Sequence, residues 1–125
     1  MSGEAIRTIS FAGAGNVAFN LAPALFKAGY EIRCIHGRNP ENTGQLAAMV
    51  NAKPVFNVDE IDGETDLLIL ALPDQVIPGF SLSVKNAGRF SGIMVHTSGS
   101  QSLGAITQYH ANGGVFYPLQ SFTKV

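Results

Sequence analysis

A chain of 125 residues with 46% hydrophobic content is long enough for one packed domain, and burying roughly two-thirds of its unfolded surface is realistic at that size. Its formal net charge of -1 supplies no field that would draw it to nucleic acid or to an anionic membrane, so a small polyanionic ligand must be met by a local basic group. No stretch is apolar for long enough to span a bilayer, and Met1-Ser2-Gly3-Glu4 is not a leader, so a cytoplasmic protein is expected; the lone Cys34 excludes an internal disulfide and Cys-x-x-Cys zinc or redox chemistry.

The chain opens with an apolar run, Ile9-Ser10-Phe11-Ala12, that stops at Gly13-Ala14-Gly15 and turns into a helical pattern. This reads as strand, tight turn and helix. Gly13 allows the reversal, Gly15 removes a side chain where a pyrophosphate would lie, and Ala18 is small enough for close helix packing. The first amides and positive dipole end of the helix then favour an anion, which makes Gly13, Ala14, Gly15, Asn16 and Val17 the expected pyrophosphate turn. Val17, Leu21 and Leu25 continue the helical spacing to Ala28-Gly29, with a bend expected at Pro23.

A second strand, Glu31-Ile32-Arg33-Cys34-Ile35, packs Cys34 and ends in His36-Gly37-Arg38-Asn39-Pro40. An Asp or Glu at the end of this strand would accept from the 2′-hydroxyl of NAD, and none stands there. Arg38 with Asn39 can instead meet a 2′-phosphate, which favours NADP; His36 reads as a strand-end residue. A short helix is expected over 41–50, a brief third strand over 53–58, and a polar connection over 59–64.

The run Leu67-Leu68-Ile69-Leu70-Ala71-Leu72 shows no alternation, as expected of a parallel strand covered on both faces. It ends at Pro73-Asp74. Leu72 and Pro73 are expected beside the ribose or nicotinamide, and Asp74 as the cap of a helix over 75–86 that tolerates Pro78 near its start. Ile93-Met94-Val95 is a further buried strand whose polar end, His96-Thr97-Ser98-Gly99-Ser100, would face the same crevice or form a turn into a helix over 103–109. His96 could relay a proton near neutral pH, while His110 is expected at that helix's end. Val115-Phe116-Tyr117 completes the sheet as a sixth strand. The fold class is therefore α/β, a Rossmann-type doubly wound and mainly parallel sheet in the order 3-2-1-4-5-6. A substrate wall is missing from this plan, and a second domain is expected to supply it.

Gly13-Ala14-Gly15-Asn16-Val17-Ala18, Ala71-Leu72-Pro73-Asp74, His96-Thr97-Ser98-Gly99-Ser100 and Tyr117-Pro118-Leu119-Gln120-Ser121-Phe122 together resemble the N-terminal half of a family of Rossmann-like NADP oxidoreductases. That family is similar to pyrroline-5-carboxylate reductase, the deazaflavin-dependent NADP reductases and the hydroxyisobutyrate dehydrogenases. The resemblance implies pyrophosphate contacts at residues 13 to 17, a 2′-phosphate contact at Arg38 with Asn39, and ribose and nicotinamide contacts at Leu72 and Pro73. It also implies crevice residues at His96, Ser98 and Gln120, Ser98 lying against the cofactor, and a helical C-terminal domain that completes the substrate pocket and a homodimer. Tyr117 departs from the pattern, because a histidine is expected before Pro-Leu-Gln; its hydroxyl could still donate a proton.

The leading expectation is the NADP(H)-binding domain of an oxidoreductase that moves a hydride to or from a small-molecule substrate. A non-enzymatic nucleotide-sensing module would keep the glycine turn and Arg38 but need no polar crevice. An S-adenosylmethionine methyltransferase is disfavoured by the missing acid after the second strand.

Overall fold

The computed structural model describes residues 6–97 together with the strand backbones at 106–110 and 117–118. The elements in chain order are β1 (Thr8–Ala12), α1 (Asn16–Lys27), β2 (Glu31–His36), α2 (Pro40–Met49), β3 (Lys53–Val55), a 3-10 turn (Val58–Glu60), β4 (Leu67–Leu70), α3 (Ile77–Ala87), β5 (Ile93–Thr97), β6 (Ile106–His110) and β7 (Tyr117–Pro118). The sheet order is β3-β2-β1-β4-β5-β6-β7. The first five in this order are parallel, as the sequence predicts, and strand order reverses between β1 and β4.

Alternation along these strands sorts the core onto two faces. Ile9, Phe11, Ile35, Leu67, Ile69 and Val95 pack under Leu21 and Leu25 of α1 and Leu46 of α2. Ala12, Cys34, Leu68, Leu70 and Met94 pack against Ile77 and Val84 of α3 and against Phe90. All four residues of β4 are 0% exposed, which accounts for its unbroken apolar sequence. The second face carries a polar patch: the Ser10 and Thr65 hydroxyls lie 2.9 Å apart, and the Cys34 thiol donates to Ser10 at 3.3 Å. The patch coincides with the register irregularity between β1 and β2 and satisfies the polar groups buried there. α1 runs unbroken through Pro23.

The strand entry at β1 is fixed by a reciprocal clasp. The Asp66 carboxylate accepts from the amides of Arg7 and Thr8, and the Asp66 amide donates to the Thr8 hydroxyl. These hydrogen bonds, the Arg7 amide first, hold the Asp66 carboxyl below its ordinary pKa.

Two expectations are corrected beyond β5. The helix expected over 103–109 is overturned by β6, which pairs antiparallel with β5 from Ile93↔His110 to Thr97↔Ile106 and so also removes His110 from a helix end. Helical spacing could be counted there, but Ile106-Thr107-Gln108-Tyr109 is rich in β-branched and aromatic types, and β5 would otherwise present an unpaired edge. The expected last strand is found at Tyr117–Pro118, with Val115 and Phe116 outside the described residues. It pairs antiparallel with β6, so the six expected strands keep their relative order with β6 inserted between the last two.

Candidate functional site

The carboxyl ends of β1, β2 and β4 converge on the turn at residues 13–15. Gly13 has φ +110°, and a Cβ built on it would run into the Ala71 carbonyl. Its amide donates to the His36 carbonyl at 2.6 Å, and the Ala71 amide donates to the Ala12 carbonyl at 2.8 Å, so the turn is tied to both neighbouring strands. Gly13 is therefore required by the fold itself. Gly15 differs. Its φ is -96°, and a Cβ there would meet nothing within 4 Å. What the missing side chain leaves open is the space in front of α1.

α1 begins at Gly15 with no side-chain cap and no acid in its first turn. α2 begins with both: the Asn39 side-chain oxygen accepts from the Glu41 and Asn42 amides at 2.9 and 3.0 Å, and Glu41 lies in the first turn. One helix caps its first amides with its own side chain; the other leaves them uncapped at residues that line a cavity.

Two cavities, of about 470 and 270 Å³, share Gly15, Ala71, Leu72 and Pro73 and together form a groove over the switch point. The larger is lined also by Asn16, Val17, Asp74, Gln75 and Thr97. The smaller adds Gly13, Ala14, His36, Gly37, Arg38, Asn39 and Asn42, closed on the α3 side by Val76 and Phe80. The structure thus brings Gly13, Ala14, Gly15, Asn16, Val17, Arg38, Asn39, Leu72 and Pro73 to one groove. Arg38 is exposed, and no carboxylate lines the smaller cavity among the described residues.

Sequence reasoning undervalued His36. Its ring meets Phe80 edge-on, with centroids 5.1 Å apart, and forms part of the cavity wall. Burial pushes its pKa down, against an opposing pull from Glu60 and the Phe56 backbone. The positive charge at this end of the groove accordingly comes from Arg38.

Other assignments change. Asp74 does not cap α3: the N-cap is Val76, which makes no side-chain cap. The chain coils before the helix, with Val76 donating to the Pro73 carbonyl and Ile77 to the Asp74 carbonyl, so Asp74 stands outside the cap position on the rim of the larger cavity. His96 is half-buried in β5 opposite Leu70, while the neighbouring Thr97 lines the groove. Tyr117 is described only as part of β7, and Ser98 and Gln120 lie outside the described residues. Among the described residues no cluster of His, Cys, Asp or Glu could hold a metal ion, and no helix is long and apolar enough to cross a membrane.

Comparison with solved structures finds this fold in proteins described as oxidoreductases, dehydrogenases and reductases. A protein from Bacteroides fragilis described as a candidate NADP oxidoreductase is 33% identical, with TM-score 0.68 over 75% of this chain and 36% of its own. The WlbA dehydrogenase of Bordetella pertussis, solved with NADH and UDP-GlcNAcA, is 26% identical with TM-score 0.59 over 73% of this chain and 28% of its own. A pyrroline-5-carboxylate reductase from Coxiella burnetii shares the fold at 17% identity, TM-score 0.60, over 74% of this chain and 43% of its own. The chain thus spans between about a quarter and under a half of the length of these proteins. No curated protein matches the sequence. The family model described as NADP oxidoreductase, coenzyme F420-dependent, matches residues 8–91, and with the glycine turn, the parallel sheet and the groove over its switch point all present, the chain belongs to that family as its Rossmann-type nucleotide-binding domain.

Proposed function

We propose that the chain binds NADP(H) across the switch point and serves as the cofactor half of an oxidoreductase acting on a small molecule. The observation that carries this reading is the contrast at α1: uncapped amides, no first-turn acid, and a Gly15 whose absent Cβ leaves open space in front of them. In this reading the turn at residues 13–17 receives the pyrophosphate, and Leu72 and Pro73 give the ribose and nicotinamide an apolar wall that excludes water. Arg38 meets the 2′-phosphate, with the side-chain NH2 of Asn39 beside it, since the Asn39 oxygen is already held by α2. When bound, the nicotinamide supplies or accepts the hydride.

His96, Ser98, Tyr117 and Gln120 are the proposed polar groups on the substrate side. A helical domain that completes the pocket and pairs two copies of the protein belongs to the same proposal. Titration of NADPH and NADH into wild type and Arg38→Ala tests the cofactor assignment. Loss of one charge-assisted contact, about 1.5–3 kcal/mol, should weaken NADPH on the order of ten- to a hundredfold and leave NADH unchanged. A wild type that prefers NADH, or an Arg38→Ala chain that keeps its NADPH affinity, overturns it.

A further inference from the structure

Gly37 is the first residue after β2 and lines the smaller cavity. In dinucleotide-binding folds the acid that reads the ribose stands at the end of this strand, about 20 residues past the glycine turn. Gly37 is not among the glycines with positive φ, so its backbone would accept an L side chain. The obstacle is Thr43. A Cβ on Gly37 would run into the Thr43 hydroxyl oxygen and lie 3.1 Å from its Cβ and 3.3 Å from its methyl carbon.

Neither partner is free to retreat. The Gly37 amide donates to the Val55 carbonyl at 3.2 Å, which fixes it against β3. Thr43 is 0% exposed, and its amide donates to the carbonyl of Asn39, whose side chain caps the same helix. The Thr43 hydroxyl finds no hydrogen-bond partner among the described residues, so its contribution at this place is the volume it fills.

We infer that Thr43 acts on specificity through position 37, as a positioning residue: by occupying the space in front of Gly37 it keeps that position bare, denies the site an acid, and leaves the ribose end to Arg38. This rests on the nucleotide reading above. Removing the hydroxyl and methyl leaves only the 3.1 Å Cβ contact, which a shift of a few tenths of an ångström relieves.

The test compares wild type, Gly37→Asp, Thr43→Ala and the double variant, each read by melting temperature and by NADPH and NADH titration. Gly37→Asp alone should melt lower, or fail to fold, without gaining NADH affinity. Thr43→Ala alone should keep the wild-type preference. The double variant should recover much of the lost melting temperature, bind NADH about tenfold more tightly and NADPH about tenfold more weakly than wild type, the scale of one charge-assisted contact. The inference is overturned if Gly37→Asp melts like wild type, if it gains NADH affinity by itself, if Thr43→Ala fails to rescue it, or if the rescued double variant keeps its NADPH preference. A wild type that binds neither nucleotide defeats the cofactor reading instead, and the thermal coupling of positions 37 and 43 in the same samples still decides the steric contact.

Discussion

Two glycines two residues apart in the same turn should fail in opposite ways when each is given a methyl group. At Gly13 the backbone is at φ +110° and the added carbon would overlap the Ala71 carbonyl. A strained dihedral of this kind costs about 1–3 kcal/mol and overpacking a similar amount, so Gly13→Ala should lose about 2–6 kcal/mol. For a domain of this length each kcal/mol moves the midpoint by about 4 °C, giving a fall on the order of 10 °C or more. At Gly15 the methyl meets nothing within 4 Å and the φ of -96° is ordinary, so Gly15→Ala should cost only the difference between glycine and alanine at an N-cap, about 1 kcal/mol or less. Its effect belongs to the ligand. A methyl in front of the α1 amides pushes the pyrophosphate away, and losing one hydrogen bond to a charged group weakens NADPH roughly ten- to a hundredfold. Differential scanning fluorimetry and fluorescence titration of both variants separate the two effects. If Gly15→Ala binds NADPH within about twofold of wild type, or if both variants melt alike, the assignment of Gly13 to the fold and Gly15 to the ligand is refuted.

Three further outcomes follow from the same geometry. Asn39→Ala should destabilise by about 1 kcal/mol through loss of the α2 cap, whereas Asn39→Asp should keep the cap and the melting temperature but weaken NADPH more than NADH, because it sets a carboxylate beside Arg38; melting curves and the ratio of the two dissociation constants check this. Asp66 is held below its ordinary value of 3.8 by amide donors, so the stability it contributes is present above that value and is lost as pH falls through the lowered one. Asp66→Asn should therefore melt lower at neutral pH and lose less than wild type between pH values of about 5 and 2, in a pH series of melting temperatures. His36 is pushed below 6.5 by burial, so the unfolded chain takes up the proton first and stability falls as pH drops through 6.5 towards the lowered value. His36→Phe should flatten that slope.

What the sequence made legible was local in origin. The glycine turn is written in neighbouring residues because its requirement for Gly13 arises from that residue's own dihedral and from the strand beside it. β4 was readable because burial on both faces leaves no polar position in Leu67–Leu70. The place of Arg38 at the groove was readable from its position just after the second strand. β6 was not, because its strand state depends on pairing with β5, an interaction between segments that no window of residues contains. Asp74 failed for a related reason: an acid just before a helix is a good cap only when the helix starts at once, and here the chain first coils through Pro73 and Asp74, which moves the N-cap to Val76. Thr43 left no signal either, since a threonine inside a helix acquires meaning only once that helix is packed over the end of β2.

If the chain binds a dinucleotide as proposed, the arrangement of charge also explains how so weakly charged a chain would select a polyanion. With a formal net charge of -1 there is no long-range attraction to rely on, so selectivity has to be built from short-range donors at fixed positions. The fold supplies them at two points of one groove: the α1 amides, held forward by a turn tied to β2 and β4, and the Arg38 guanidinium, at the mouth of a cavity whose other described lining residues carry no carboxylate. Between them, Leu72 and Pro73 add apolar lining and no charge. Because α2 satisfies its own first-turn amides through Asn39, the neighbouring helix end would not compete for the phosphates in the proposed reading. In the proposed reading the residues that decide the ligand are set apart by which donors the fold leaves without a side-chain cap, and that is fixed by a missing side chain at Gly15 and a present one at Asn39.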